Sequence, residues 1–207
     1  LKQVFGIDIP LNKENAESIY KMANEKLKNI RIQDMLNNFN VKFIATTDDP
    51  IDTLENHKSY GEIKVTPTFR PDKLFDFEES YIKELGKVAG VDICTLDNLL
   101  KALSLRLDFF VEKGCRMADH GLDAFPKYYA TLEEAEKLFL HRSSLSNEEK
   151  ESLKGFLLVW FSKEYAKRKM SVQLHIAVTR NVNPVGFVQC GVDSGFDVIS
   201  ETPAVQN

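Results

Sequence analysis

Ile63-Lys-Val-Thr-Pro-Thr-Phe-Arg-Pro-Asp72 joins an extended run to a charged terminus, and helical sequence follows it. Ile63 to Phe69 is short and rich in β-formers. Its parity places Lys64, Thr66, Thr68 and Arg70 on one face and Val65 and Phe69 on the other. Beyond Arg70-Pro71-Asp72, apolar residues recur at three- and four-residue steps and predict helices over about Glu78–Ala89 and Leu96–Lys113. The unit is therefore strand, polar end, helix.

The same order recurs on both sides. Upstream, Val41 to Thr46 reads as a strand ending in Asp48-Asp49-Pro50. A helical pattern follows from Ile51 to Tyr60, with Asp49 placed to cap it and Pro50 at its first position. Downstream, Cys115 to Ala118 ends in Asp119-His120-Gly121, and helices are expected over about Leu132–His141 and Asn147–Lys169. In the latter, Leu153, Phe156, Leu157, Trp160 and Tyr165 are spaced as a buried face. Val172 to Val178 reads as a last strand ending in Thr179-Arg180-Asn181, with Gln173, His175 and Thr179 opposing Leu174, Ile176 and Val178. Helices over Asn12–Ile30 and Ile32–Phe39 lead the chain.

Four strand-like segments separated by helical sequence imply parallel strands joined by right-handed crossovers, an α/β architecture. Their polar residues gather at the C-terminal ends, the face on which a (β/α) barrel builds its active site. The expected fold is thus a partial (β/α)8 TIM barrel, since eight strands need about 250 residues. The expected organisation is a single domain over 1–207: leading helices over 1–40, strand–helix units over 41–180 and a trailing loop over 181–207. On this reading the apolar strand faces pack on helices and the polar faces line an interior.

Composition excludes other classes. The chain has 207 residues, 43% hydrophobic and 28% charged, which is ordinary globular composition. Lys+Arg of 27 against Asp+Glu of 31 gives a net charge of −4, no basic excess for a phosphate backbone, so nucleic acid is not an expected partner. No apolar run approaches the roughly 18–20 residues that cross a bilayer, and no signal-peptide pattern opens the chain, so no membrane partner is expected either. Cys94, Cys115 and Cys190 are an odd number without CxxC spacing, which fits a reducing cytoplasm. Leu1 in place of an initiator Met suggests a fragment of a longer product. The open edges of a half barrel suggest a homo-oligomer.

Several ordered motifs carry a resemblance. Thr46-Thr-Asp-Asp-Pro50 with His57 downstream, Pro67-Thr-Phe-Arg-Pro-Asp72, Gly114-Cys-Arg-Met-Ala-Asp-His-Gly121 and Gln173-Leu-His-Ile-Ala-Val-Thr-Arg180 resemble successive signatures of the uronate (glucuronate) isomerase family. Phe5-Gly-Ile-Asp-Ile-Pro-Leu11 and Gly191-Val-Asp-Ser-Gly-Phe-Asp197 are similar to its flanking segments. The resemblance implies an amidohydrolase-like barrel that interconverts glucuronate with fructuronate and galacturonate with tagaturonate, so a small hexuronate is the implied substrate. It implies substrate contact by Arg70 and Arg180 and an active-site role for His175. Ala177 stands where the family usually has Gly, and Ala118 where Ser is common. The family's His-x-His metal pair and C-terminal Asp-Ser-Arg have no counterpart here. No cofactor is therefore expected in this chain, and a divalent metal, zinc among the candidates, is expected in the full-length parent.

Physical chemistry bears on the same residues. The planar, permanently charged fork of Arg70 suits a carboxylate, although Asp72 is an equally available ion-pair partner. His175 could ligate metal, move a proton or sit hydrogen-bonded in a core. Asp49, Asp119 and His120 are candidates for the site rim. Strand alternation turns Asp119 and His120 to opposite faces, so one of the two is expected to be structural. Two further functions stay open: a metal-dependent hydrolase, for which His120 and His175 lack a third ligand, and a truncated, non-catalytic binding domain.

Overall fold

The computed structural model describes residues 1–199, so the end of the expected trailing loop, from position 200, lies outside the described residues. The chain divides into two compact units, Leu1–Ile44 with His57–Val65, and Ala45–Asn56 with the chain from Thr66 onward.

The first unit carries α1 (Lys2–Phe5), α2 (Ala16–Leu27) and α3 (Ile32–Asn38). Ile7, Ile19 and Ile63 are its buried apolar residues, while Tyr20 and Leu27 of the expected α2 stripe are exposed. The amide of Asn38 donates to the Gln3 carbonyl at 2.6 Å, tying α3 to α1. Lys64 N–H donates to the Lys42 carbonyl at 3.0 Å, where β1 (Phe43–Ala45) and β2 (Lys64–Thr66) run side by side.

The second unit holds the extended core of the α/β fold. β3 (Met117–Leu122) and β4 (Ser171–Ile176) pair in parallel, in register from Met117 opposite Ser171 to Leu122 opposite Ile176. The chain beyond β2 stays extended, and parallel bridges link Asp48 to Phe69 and Phe69 to Ala118. Phe69 N–H donates to the Met117 carbonyl at 3.1 Å and its carbonyl accepts from Asp119 N–H at 3.0 Å. Arg70 N–H donates to the Asp48 carbonyl at 2.9 Å. The expected order of the strand ends is therefore present, and it carries Asp48, Arg70 and Asp119 side by side.

Helices α4 (Glu79–Ala89), α5 (Leu96–Glu112), α6 (Leu132–Leu140) and α7 (Asn147–Lys167) fill the predicted positions. Reciprocal caps start three of them: Thr95 with Asn98, Thr131 with Glu134, and Ser146 with Glu149. Leu153, Leu157, Phe161 and Tyr165 recur every fourth residue on α7 and are buried. Phe156 and Trp160 pack at the core's margin. The Phe69 ring meets Phe110 edge-on at 5.1 Å and lies 6.3 Å from Tyr165, so the apolar face of this strand is sealed by α5 and α7. Burying such a ring contributes roughly 1.5–3 kcal/mol.

Several expectations fail for physical reasons. Residues 51–60 form turns rather than a helix. Arg106 of α5, 7% exposed, takes the Pro50 and Asp52 carbonyls with Nε and Nη2 at 2.6 and 2.8 Å, the groups a helix would have used internally. Asp49 accordingly caps a turn, accepting from Ile51 N–H at 3.1 Å. On β4 the apolar face is not packed on helices: Val172 and Leu174 are 44% and 47% exposed. The segment after Arg180 is not simply a loop, since it contains α8 (Pro184–Cys190) and β6 (Val198–Ile199), the latter antiparallel to β5 (Val178–Thr179). Among the described residues, no helix is long and apolar enough to cross a membrane.

Candidate active site

Arg70-Pro71-Asp72 and Asp119-His120-Gly121 leave adjacent strand ends and interlock. Arg70 Nη1 donates to Asp119 Oδ2 at 3.3 Å, and Arg70 Nε donates to Asp72 Oδ2 at 2.9 Å. Gly121 N–H donates to the same Asp72 oxygen at 2.7 Å. The Asp72 carboxyl lies below the ordinary carboxylate range: burial pushes it up, but hydrogen bonds from His120, Gly121 and Arg70 outweigh that.

Strand alternation separates Asp119 from its neighbour as expected. Asp119, 5% exposed, turns toward Arg70 and β4, whereas His120, 1% exposed, turns into the core against Phe75, Phe161 and Tyr165. His120 sits between Asp72 Oδ1 and the Tyr165 hydroxyl, each at 3.0 Å.

β4 brings the second histidine in. His175 stands opposite Gly121 in the register and reaches diagonally to place Nε2 2.9 Å from Asp119 Oδ1. The approach lies off the line of a directed N–H···O bond, so this buried oxygen has a close imidazole but no directed donor among the described residues. Such an oxygen is where a ligand hydroxyl or a reoriented imidazole gains most.

Arg70, Asp72, Asp119, His120 and His175 therefore form one connected group at the strand ends. The ion-pair reading of Arg70 and the ligand reading coexist, because the bonds to Asp72 and Asp119 use two of five guanidinium donors. Arg180 is held elsewhere: Nη1 donates to Asp197 Oδ2 at 2.6 Å, which with the Asn181 amide holds the Asp197 carboxyl below its usual range. Asp49 accepts the Tyr81 hydroxyl at 2.8 Å and faces Lys73 at 3.4 Å, a turn anchor on the preceding strand end.

Sequence reasoning missed the Tyr165 hydroxyl and Gly121. A tyrosine on a buried helical stripe must find a polar partner, which was the available signal for the first. For the second, a Cβ on Gly121 would fall 2.4 Å from Arg70 Nη2, a contact set by the neighbouring strand rather than by the local sequence.

The fit of a metal can be tested directly. Among the described residues no group of three or more His, Cys, Asp and Glu side chains converges as a metal site. Asp119 and His175 offer two donors that already face each other. The described residues therefore offer no complete ligand set for such an ion.

Comparison with known proteins bears on the same segment. The chain is 39% identical to a uronate isomerase of Caldanaerobacter subterraneus subsp. tengcongensis, over 98% of this chain and 47% of that protein. It is 37% identical to a uronate isomerase of Clostridium perfringens, over 97% and 46%. Its structure superposes on the crystal structure of a uronate isomerase from Thermotoga maritima with a TM-score of 0.87 at 31% identity, covering 98% of this chain and 47% of that one. A glucuronate isomerase from Caulobacter crescentus gives a TM-score of 0.84 at 27% identity, over 99% and 45%. The chain thus spans about half the length of these relatives. A family model for glucuronate isomerase matches residues 1–207, and by that match across its whole length the chain belongs to the glucuronate isomerase family.

Proposed function

We propose that this chain supplies the substrate-gripping half of a uronate isomerase, converting D-glucuronate to D-fructuronate and D-galacturonate to D-tagaturonate. The carrying observation is the joined Arg70–Asp119–His175 group at the strand ends, where a guanidinium about one-third exposed stands beside a buried carboxylate and an exposed imidazole. Arg70 takes the substrate carboxylate with the donors that Asp72 and Asp119 leave open. His175 and Asp119 lie within reach of each other, so the imidazole can exchange a proton with a sugar hydroxyl while the carboxylate orients it. Moving hydrogen between adjacent carbons passes through an enediol-like state whose developing charge needs cationic or hydrogen-bonding support. Arg180, freed from Asp197, adds a second cation. The fold is the central portion of a (β/α) barrel, within a cytoplasmic, self-associating enzyme, and the remaining catalytic groups come from the half this chain lacks.

The test is titration of this chain with D-glucuronate, D-galacturonate and uncharged D-glucose, followed by two-dimensional NMR. Saturable shifts at Arg70 and His175 with the two uronates, absent with glucose, are expected. Equal response to glucose, or none to either acid, would refute the reading. Turnover by the chain alone is expected to be little or none.

A further inference from the structure

Arg70 is held by Asp72, which is itself backed by two buried groups, His120 and Tyr165. Tyr165, on α7, is 1% exposed, and burial raises its hydroxyl well above the ordinary phenol range, so the proton stays on oxygen. That hydroxyl lies within hydrogen-bond distance of His120 Nε2, at 3.0 Å. The ionised Asp72 carboxylate can only accept, so His120 Nδ1 carries a proton and donates to Asp72 Oδ1 at 3.0 Å. Asp72 in turn accepts Arg70 Nε–H and Gly121 N–H on its other oxygen. Asp72 is thus held on both oxygens, by His120 from the core side and by Arg70 and Gly121 from the other.

We infer that Asp72, His120 and Tyr165 are positioning residues that fix the plane of the Arg70 guanidinium, and so decide which of its donors meet a hexuronate carboxylate. The part concerning the hexuronate rests on the proposed function; the part concerning Arg70 does not. Two anchors are needed because an arginine on one flexible bond samples many orientations, and ordering it at the moment of binding costs affinity. Asp72 alone cannot supply the stiffness, since a carboxylate fixed on only one oxygen can turn. His120 fixes the other oxygen. The His120 ring is itself packed among Phe75, Phe161 and Tyr165 with centroids 5.8–6.0 Å away, and turning it would break both of its hydrogen bonds. A buried polar chain of this kind contributes little net stability over an apolar replacement, so its consequence lies in the specific arrangement at its end.

The test compares the unaltered chain with Tyr165→Phe, His120→Gln and Asp72→Asn, each alone and combined with Arg70→Ala. Tyr165→Phe removes one hydroxyl and leaves the ring packing, which keeps the test available if the other variants do not fold. The first readout is the Arg70 side chain by NMR: a slowly exchanging Nε–H and hindered guanidinium rotation in the unaltered chain, faster exchange and free rotation in the variants. The second is D-glucuronate affinity, expected to fall about three- to tenfold with Tyr165→Phe and more with Asp72→Asn. In the Arg70→Ala background neither change should weaken binding further, because the effect passes through Arg70. Unchanged Arg70 signals in Tyr165→Phe, or full additivity with Arg70→Ala, would overturn the inference. If the unaltered chain binds no uronate, the functional reading fails while the Arg70 signals still decide the positioning role.

Discussion

Arg70 and Asp119 meet across neighbouring strand ends, Nη1 to Oδ2 at 3.3 Å, with the carboxylate nearly buried and the guanidinium about one-third exposed. The asymmetry matters. The carboxylate has given up water, and the Arg70 guanidinium and the His175 imidazole are its close neighbours. The arginine keeps donors for a ligand.

Asp119→Ala should therefore destabilise the fold by about 1–2 kcal/mol, less than a fully buried pair because Arg70 and His175 can recover water. Urea unfolding would read it as a lower midpoint with an unchanged slope. Uronate affinity should change in the same variant, as Arg70 loses one of its two anchors.

Asp72 sets an acid limit. Its carboxyl is depressed in the folded chain, so the folded state favours the ionised form more than the unfolded state does. The stabilisation is fully present above the unfolded value of about 3.9 and is lost as pH falls through the lower folded value. Unfolding measured from pH 6 downward should show stability decreasing below about pH 4. Asp72→Asn should remove that part of the decrease, and a parallel profile in the variant would disprove the assignment.

Gly121→Ala is expected to separate site geometry from stability. The added Cβ meets the far end of the Arg70 side chain at 2.4 Å, and the backbone at 121 is ordinary, so the guanidinium moves rather than the strand. The unfolding free energy should shift by less than about 1 kcal/mol. Uronate binding should fall by about tenfold or more, as for loss of a charge-assisted contact. Retained affinity would mean that Arg70 does not face the ligand.

Much of this was legible because a parallel strand announces its C-terminal end twice, by the switch to helical period and by the polar residues gathered there. The Asp119-His120 alternation followed from strand geometry alone. Residues 51–60 were not legible: Asp49-Pro50 opens a turn as readily as a helix, and the deciding group, Arg106, lies more than fifty residues away. Arg106→Ala should leave the Pro50 and Asp52 carbonyls short of donors and cost about 2–3 kcal/mol in denaturant unfolding. The relay through Tyr165 was hidden for the same reason, since a helical stripe shows burial but not which hydroxyl meets which imidazole.

Ala177 carries a local backbone strain that the expected strand alternation did not anticipate. It adopts φ 66 between β4 and β5, the left-handed region where a Cβ costs about 1–2 kcal/mol. The strand alternation expected to run from Gln173 to Thr179 breaks at this residue, and β5 turns away to pair with β6. Glycine relieves the strain but adds unfolded-state entropy of about 0.5–1 kcal/mol. Ala177→Gly should therefore stabilise the chain by up to about 1 kcal/mol, a rise in melting temperature of about 2–4 °C for a chain of this size. His175 lies two residues away, so the same change should leave its contact with Asp119 in place if the strain is confined to the backbone. Calorimetry showing a lower melting temperature would mean that the left-handed turn is held by contacts of the Ala177 methyl group rather than tolerated despite it.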